Sequence, residues 1–389
     1  MVPISYNLRN LAVRRTTTAA TAGGVALVVF VFAAVQMLGE GIRHTLLLGG
    51  KPDVAIVMRG GSDAELSSTL QPAGIALATS QKEVARRPGG APDATADVVV
   101  VLALDKLGTD GGVSNVLLRG VTEDAFAFHK QVKVIEGRQP KPGGSEVIVG
   151  QAIRGRFAGV DVGGTIELRK GRTVNVVGVF EAGGSAYESE VWGDLNTFQS
   201  AFGRGNVVSS VRVRLTSADA FNTYRDAIDA DRQQELKAQR ETVYYETQGQ
   251  ASAQVLQGLG LVIAIFFSVG AMIGAMITMY AAVASRGREI ATLRALGFSK
   301  FSVLLSFLLE SVALALLGGV VGAVGALGMG FVRFSMINFS NWSEIVIRFS
   351  PTPGIVIQAI LFAGVLGVLG GMLPAVRAAR LKLLDALRT

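Results

Sequence analysis

Four long apolar stretches set the pattern of this chain, and a long polar region separates the first from the other three. A bilayer core about 30 Å thick takes about 20 apolar helical residues to cross, and residues 16–39, 251–284, 301–333 and 351–375 each meet that length. The first, second and fourth carry no charge, and the third encloses only Glu310 before Arg333 at its end. Pro374 is expected to close the fourth. Between the first two stretches, residues 40–250 change rhythm. Val98–Leu104 is an unbroken apolar run, Ile166 and Leu168 alternate with Glu167 and Arg169, and Val211, Val213 and Leu215 alternate with Arg212 and Arg214. A period of two is a strand signal, and Gly/Pro clusters such as Pro88-Gly89-Gly90 and Gly183-Gly184 punctuate it as turns. Helical spacing returns at Phe221, Tyr224 and Ile228, behind Thr216 and Asp219 at capping-box spacing. The polar run up to Glu246 has no Gly or Pro. It predicts a stalk helix over residues 217–250 that leads into the second span.

The pattern predicts an α-helical membrane protein of four transmembrane helices, with a mixed α+β extracytoplasmic domain inserted between spans one and two. Its parts are an N-terminal segment (1–15), the four spans, the domain (40–250), a short segment at 285–300, a loop at 334–350 and a tail at 376–389. The first stretch resembles a secretory leader in its preceding arginines. Its apolar run exceeds the 7–15 residues of such leaders, which favours a membrane anchor.

Composition sharpens this picture. Only 17% of the 389 residues are charged and 50% are hydrophobic, against about a quarter charged in ordinary soluble domains. The net charge of +7 is concentrated beside the apolar stretches. Arg9, Arg14 and Arg15 precede the first, Arg286, Arg288, Arg294 and Lys300 separate the second from the third, and Arg377, Arg380, Lys382 and Arg388 follow the fourth. Excess positive charge marks the cytoplasmic side, so both termini and the 285–300 segment are expected there, with residues 40–250 outside. The same placement explains the basicity without nucleic acid. There is no cysteine, which excludes disulfides and thiolate metal sites. The two histidines, His44 and His129, lack ligand spacing and are expected to be surface or loop residues.

The chemistry is sparse. No G-x-x-x-x-G-K-[ST] phosphate loop, G-x-S-x-G or H-E-x-x-H occurs, so no catalytic, cofactor or metal residue is assigned. Glu310 is an intramembrane carboxylate, which is a functional candidate by default. The alternative, a pair with an arginine such as Arg294, is favoured because a proton relay needs a chain of such groups. Gly270, Gly274, Gly318, Gly319, Gly322, Gly325, Gly364, Gly367, Gly370 and Gly371 suit close helix packing and dimerisation. Residues 285–299 read as a short amphipathic helix with Ile290, Leu293 and Leu296 on one face and Gly297 as its terminator.

That segment carries a resemblance. MYAAVASRGREIATLRALGFSK (279–300) is similar to the coupling segment of MacB/FtsX/LolC-type ABC permeases, including the DevC-like exporters. LPAVRAARLKLLDALR (373–388) is similar to their closing motif, and LLESVALALLGGVVGAVGAL (308–327) places Glu310 where the family tends to have a glutamate. IEGRQPKPGGSEVIVG (135–150) and GVFEAGGSAYESEVWGD (178–194) resemble the MacB-like periplasmic core. The resemblance implies a homodimeric or pseudo-dimeric, non-catalytic permease of the bacterial inner membrane. A separate MacB/LolD-type ATPase would bind the ATP and magnesium. It further implies that Arg288, Glu289, Ile290, Thr292, Leu293, Arg294 and Gly297 dock that ATPase. Its closure would do conformational work outside the membrane, termed mechanotransmission, in the service of export; a membrane-fusion adaptor and an outer-membrane channel are candidate further partners, and whether they are used stays open. The other readings are an FtsX-like regulator of a cell-wall hydrolase and a membrane-anchored receptor, which would have no use for the coupling segment.

Overall fold

The computed structural model describes residues 15–381; Arg9, Arg14, Lys382 and Arg388, with most of both terminal segments, lie outside the described residues. Two compact units are present. The first comprises residues up to Glu40, Gln254–Val332 and Phe349 onward, and the second comprises Gly41–Ala253 and Arg333–Arg348.

The first unit is helical. It contains most of α1 (Arg15–Leu47), most of α6 (Glu241–Ser285), the short α7 (Gly287–Ala295), α8 (Lys300–Leu327) and α9 (Pro353–Arg380). All but α7 are long and apolar enough to cross a membrane. Glycines set their spacing. A Cβ on Gly318 or Gly322 would collide with the α1 backbone at Ala22 or Ala26, and one on Gly367 would meet Ala315 and Val312 of α8 at 2.7 and 2.8 Å. Small residues here let backbones approach, as the glycine pattern predicts. Gly270 and Gly274 depart from it: nothing lies within 4 Å of where their Cβ atoms would be, and both are exposed. Around them α6 presents Phe266 (75% exposed), Leu259, Ile265 and Ile277 outward.

Pro374 does not end α9, which continues to Arg380. A proline inside a helix loses one hydrogen bond and crowds the carbonyl four residues back. That residue is Gly370, and the turn beyond is held by burial of Ala375 and Ala378 against Met279, Val303 and Phe307.

The second unit is built on a ten-stranded sheet in the order β10-β1-β9-β2-β3-β8-β5-β7-β4, with β6 on β7. Its strands are β1 (Val54–Arg59), β2 (Ala94–Asp105), β3 (Val113–Val121), β4 (Lys133–Gly137), β5 (Glu146–Gly150), β6 (Thr165–Arg169), β7 (Arg172–Glu181), β8 (Glu190–Asp194), β9 (Ser210–Arg214) and β10 (Leu236–Arg240). Most pairs are antiparallel; β3–β8 and β5–β7 are parallel. Four short helices, α2 (Pro72–Ser80), α3 (Ala125–Phe128), α4 (Leu195–Phe202) and α5 (Phe221–Ala230), complete it. Two apolar cores divide it into lobes. One joins β1, β9 and β10 to α2 and α5, and the other joins β2, β3 and β5–β8 to α4.

Three expectations fail here. The stalk helix over 217–250 is interrupted, because after α5 the chain takes a left-handed step at Glu235 (φ +46) and pairs with β1 as β10. Leu236 and Ala238 are thereby buried in the first lobe, an edge-strand position that polar residues between them tolerate. The Thr216/Asp219 capping box does not form, since Ser217 precedes a 3₁₀ turn at Ala218–Ala220 and makes no side-chain cap. The loop at 334–350 is instead a hairpin, β11 (Arg333–Asn338) and β12 (Ser343–Arg348). It joins the second unit through the bond from Val346 N to Ser189 Oγ (3.0 Å), the bond from Asn115 Nδ2 to the Trp342 carbonyl (2.9 Å) and ion pairs of Glu344 with Lys106 and Arg156.

Candidate functional site

The segment between α6 and α8 folds as the spacing predicts, with one change of face. α6 ends at Ser285, Arg286 breaks the helix, and α7 runs from Gly287 to Ala295. Its end is a Schellman turn: Gly297 N–H donates to the Arg294 carbonyl (3.2 Å) and Phe298 N–H to that of Leu293 (3.2 Å), with Gly297 at φ +93. This left-handed position is where a glycine is favoured.

Ile290 and Ala291 are buried, while Leu293 and Arg294 are half-buried. Ile290 lies in a core with Met279 and Val283 of α6, Val303 and Phe307 of α8, and Ala375 and Ala378 of α9. Arg294 Nη1 donates to the Leu381 carbonyl (3.0 Å), so this cation satisfies the open C-terminal end of α9. Arg288, Glu289 and Thr292 are exposed, and so is Leu296, at 72%. The sequence pattern put Leu296 on the apolar inner face. The Schellman turn carries it instead to the outer one, beside Thr292 one turn away.

Glu310 does pair with an arginine, but with Arg286 (2.7 Å) and not Arg294. Both members are buried, Arg286 also reaches Glu289 at 3.6 Å, and its guanidinium lies 5.7 Å from the centre of the Phe307 ring. Sequence reasoning counted Arg286 only among the topogenic charges. Its signal was its position at the helix break, 24 residues before the one carboxylate of the third apolar stretch. On the same end of the unit Arg377 lies over the Tyr280 ring (5.5 Å). The arrangement therefore has two sides. The inner side is bonded to three long helices, and the outer side offers a cation, an anion, a hydroxyl and a leucine. These groups can make ion pairs, hydrogen bonds and an apolar contact with a partner surface.

The second unit carries a separate buried charge cluster that periodicity hid. Arg119 bridges Glu190 (2.8 Å), Glu65 (2.9 Å) and Asp97 (3.3 Å), and Arg212 bridges Asp97 (2.6 Å), Glu65 (2.9 Å) and Glu241 (2.9 Å). Burial pushes the Glu65 carboxyl up, and the charges of Arg119 and Arg212 more than reverse it, holding it well below the usual carboxylate range. Burial wins at Asp97, Glu190 and Glu241, which are raised despite the same arginines. The cavity beside the cluster, about 30 Å³, has room for about two waters and is too small for a substrate. His129, expected on the surface, is 2% exposed and packs edge-on against Tyr187 (5.2 Å) and Trp192 (5.5 Å). A neutral imidazole is aromatic enough to sit there; the isolated sequence offers no sign of it.

Known proteins match both units. Residues 17–231 match the MacB-like periplasmic core domain, and residues 261–383 match the FtsX-like permease C-terminal domain. The chain belongs to the MacB/FtsX-type permease family. YknZ, an ABC transporter permease of Bacillus subtilis, is 29% identical over 58% of this chain and 56% of its own length. The macrolide export ATP-binding/permease protein MacB of Bdellovibrio bacteriovorus is 31% identical over 48% of this chain and 29% of its own length. The chain thus matches about half of one relative and under a third of the other. The periplasmic region of MacB from Actinobacillus actinomycetemcomitans superposes on 51% of this chain and 94% of its own, at 14% identity and a TM-score of 0.38. Four helices long and apolar enough to cross a membrane, together with membership of this permease family, mark a multi-pass membrane protein.

Proposed function

We propose that this chain is the transmembrane permease subunit of an ABC transporter that transmits ATP-driven movement to its β-rich unit. α1, α6, α8 and α9 span the bacterial inner membrane as a homodimer, with α7 and both termini in the cytoplasm and the sheet outside. A separate ATPase binds the ATP and magnesium, docks on Arg288, Glu289, Thr292 and Leu296, and moves α7. Ile290, Leu293, Arg294 and Gly297 hold α7 to the helices it must move. The work is mechanotransmission in export: force is delivered to the outer unit, with no polar path through the helices. Membership of a family whose relatives include export proteins supports this direction.

The observation that carries the reading is the two-sided α7. A helix that only fixed topology would need positive charge, but not a core contact at Ile290, a bond from Arg294 to the end of α9 and an exposed mixed face. Positive charge on the α7 side (Arg286, Arg288, Arg294, Lys300) against Arg333 and Arg348 with Glu344 at the other end supports the orientation.

The test is co-purification with an ATPase encoded beside this chain, followed by ATP turnover. Glu289→Lys with Leu296→Asp changes two exposed side chains, and thermal unfolding checks that the variant is folded. Loss of at least tenfold in binding or stimulation, about 1.4 kcal/mol, is expected. An unchanged complex would reduce α7 to a topology loop and leave the receptor reading.

A further inference from the structure

The second unit contains a cleft of about 640 Å³, within the range of about 300–1,000 Å³ typical of small-molecule sites. It opens between the two lobes. Lys51, Asp53 and Arg214 come from the β1/β9 side, and Phe128, Lys130, Lys133 and Glu181 come from the segment between α3 and β4 and the end of β7. Nothing in the permease reading uses it.

Its charges fall into two sets. Arg214 is committed: it binds Asp53 (2.9 Å), Asp93 (2.9 Å) and the Phe128 carbonyl (3.0 Å), and its guanidinium lies over the Phe128 ring at 4.9 Å. This tie joins the lobes and forms a rigid floor. The amines of Lys51, Lys130 and Lys133 form no ion pair among the described residues, and all three side chains are exposed around the opening. Against these three cations stands one uncommitted acid, Glu181. The backbone at Lys51 is itself fixed, since its N–H donates to Glu241 Oε2 at 3.0 Å. Three ammonium groups bring nine N–H donors and no acceptor. Lysines converging without partners on a cleft with a fixed floor form a site for a compact multivalent anion.

We propose that this inter-lobe cleft binds a phosphate-bearing ligand, held by Lys51, Lys130 and Lys133. A phosphate monoester carries about −1.5 to −2 charges near neutral pH, which matches the uncommitted net of three cations and one acid. A carboxylate would leave most of that charge unmatched. Two sources supply the group. One is a lipid headgroup, drawn from the bilayer that the helical unit is proposed to span, and the other is a free phosphate ester, which the cleft's volume admits.

Binding is measured on the full chain purified in detergent, without ATPase, so the result is independent of the coupling reading. The probes are a short-chain fluorescent phosphatidylglycerol and, as competitor, glycerol 3-phosphate. Lys130→Glu with Lys133→Glu should weaken binding at least tenfold. Lys170→Glu with Arg172→Glu, an equal charge change at the exposed β6–β7 turn, should alter it less than twofold. Thermal unfolding reports that all three proteins are folded. Displacement by glycerol 3-phosphate supports a soluble ester as the source, and binding of the lipid without displacement supports a headgroup. Failure of both probes to bind, or equal loss in the two double variants, overturns the proposal.

Discussion

Arg212 lies between Val211 and Val213 on β9, and its side chain is as fully enclosed as theirs. Alternation correctly separates two faces of that strand, but the second face is not water. It is a polar interior in which two arginines meet four carboxylates. Removing one member of such a set leaves a buried charge uncompensated, which typically costs about 3–5 kcal/mol. His129 lies close enough to feel the same cluster. Burial pushes its imidazole well below the ordinary range, and the charges of Arg212, Arg119 and Arg214 push the same way, against that of Glu65. The unfolded chain takes up a proton at this residue below about pH 6.5 and the folded one does not, so acidification favours unfolding. Below that pH the loss approaches about 1.4 kcal/mol per pH unit. Asp97, Glu190 and Glu241, raised by burial, act in the opposite direction, so the comparison must be with a variant. In His129→Gln the fall of the unfolding midpoint between about pH 6.5 and 5 should flatten, followed by the fluorescence of neighbouring Trp192. Parallel curves for the two proteins would show that His129 is not the responsible group.

At the scale of elements, α7 depends on its terminator. Gly297 at φ +93 makes the turn that sends Leu296 outward and returns the chain to α8. A side chain there costs about 1–2 kcal/mol for the left-handed conformation, and Asn tolerates it better than Ala or Val. Amide exchange at residues 293–298 should accelerate about tenfold in Gly297→Val and less in Gly297→Asn. Equal rates in all three proteins would mean the turn is not limiting. The amphipathic pattern and the terminator were legible in residues 285–299, because each is a local rule; the bond from Arg294 to the end of α9 was not, since its acceptor lies 87 residues on. The outward position of Leu296 was not, since a helical wheel continues the helix one residue too far. β10 and the β11–β12 hairpin were missed for a related reason. Leu236-Lys237-Ala238 and Ile345-Val346-Ile347 are too short to outweigh their polar surroundings, and their burial comes from partners far away in sequence.

At the scale of the whole molecule, the two units obey different solvents. The helical unit turns Phe266, Leu259, Ile265, Val321 and Leu361 outward, while the second unit buries its apolar side chains in two lobes. The proposed orientation is directly testable because the chain has no cysteine. Single cysteines at the exposed positions Lys170 and Arg288 can be probed with a membrane-impermeant maleimide. In intact cells whose outer barrier is opened, Lys170→Cys should label and Arg288→Cys should label only after the inner membrane is permeabilised. The reverse order would invert the topology and remove the ATPase from α7.

Local chemistry and solvent dictate one part of this protein. Twenty-odd apolar residues have few alternatives to a long buried or membrane-crossing helix, period two requires strands, and a glycine after an amphipathic turn ends a helix. The family resemblance then connected those elements to the coupling role proposed for α7. The packed fold settled which side chains share a site. It paired Glu310 with Arg286, enclosed His129 and Arg212, joined the hairpin to the sheet, and left three lysines unpaired around one cleft. Those outcomes depend on contacts between residues tens to hundreds of positions apart, and a buried charge reads the same in sequence as a solvated one until its partners are in place.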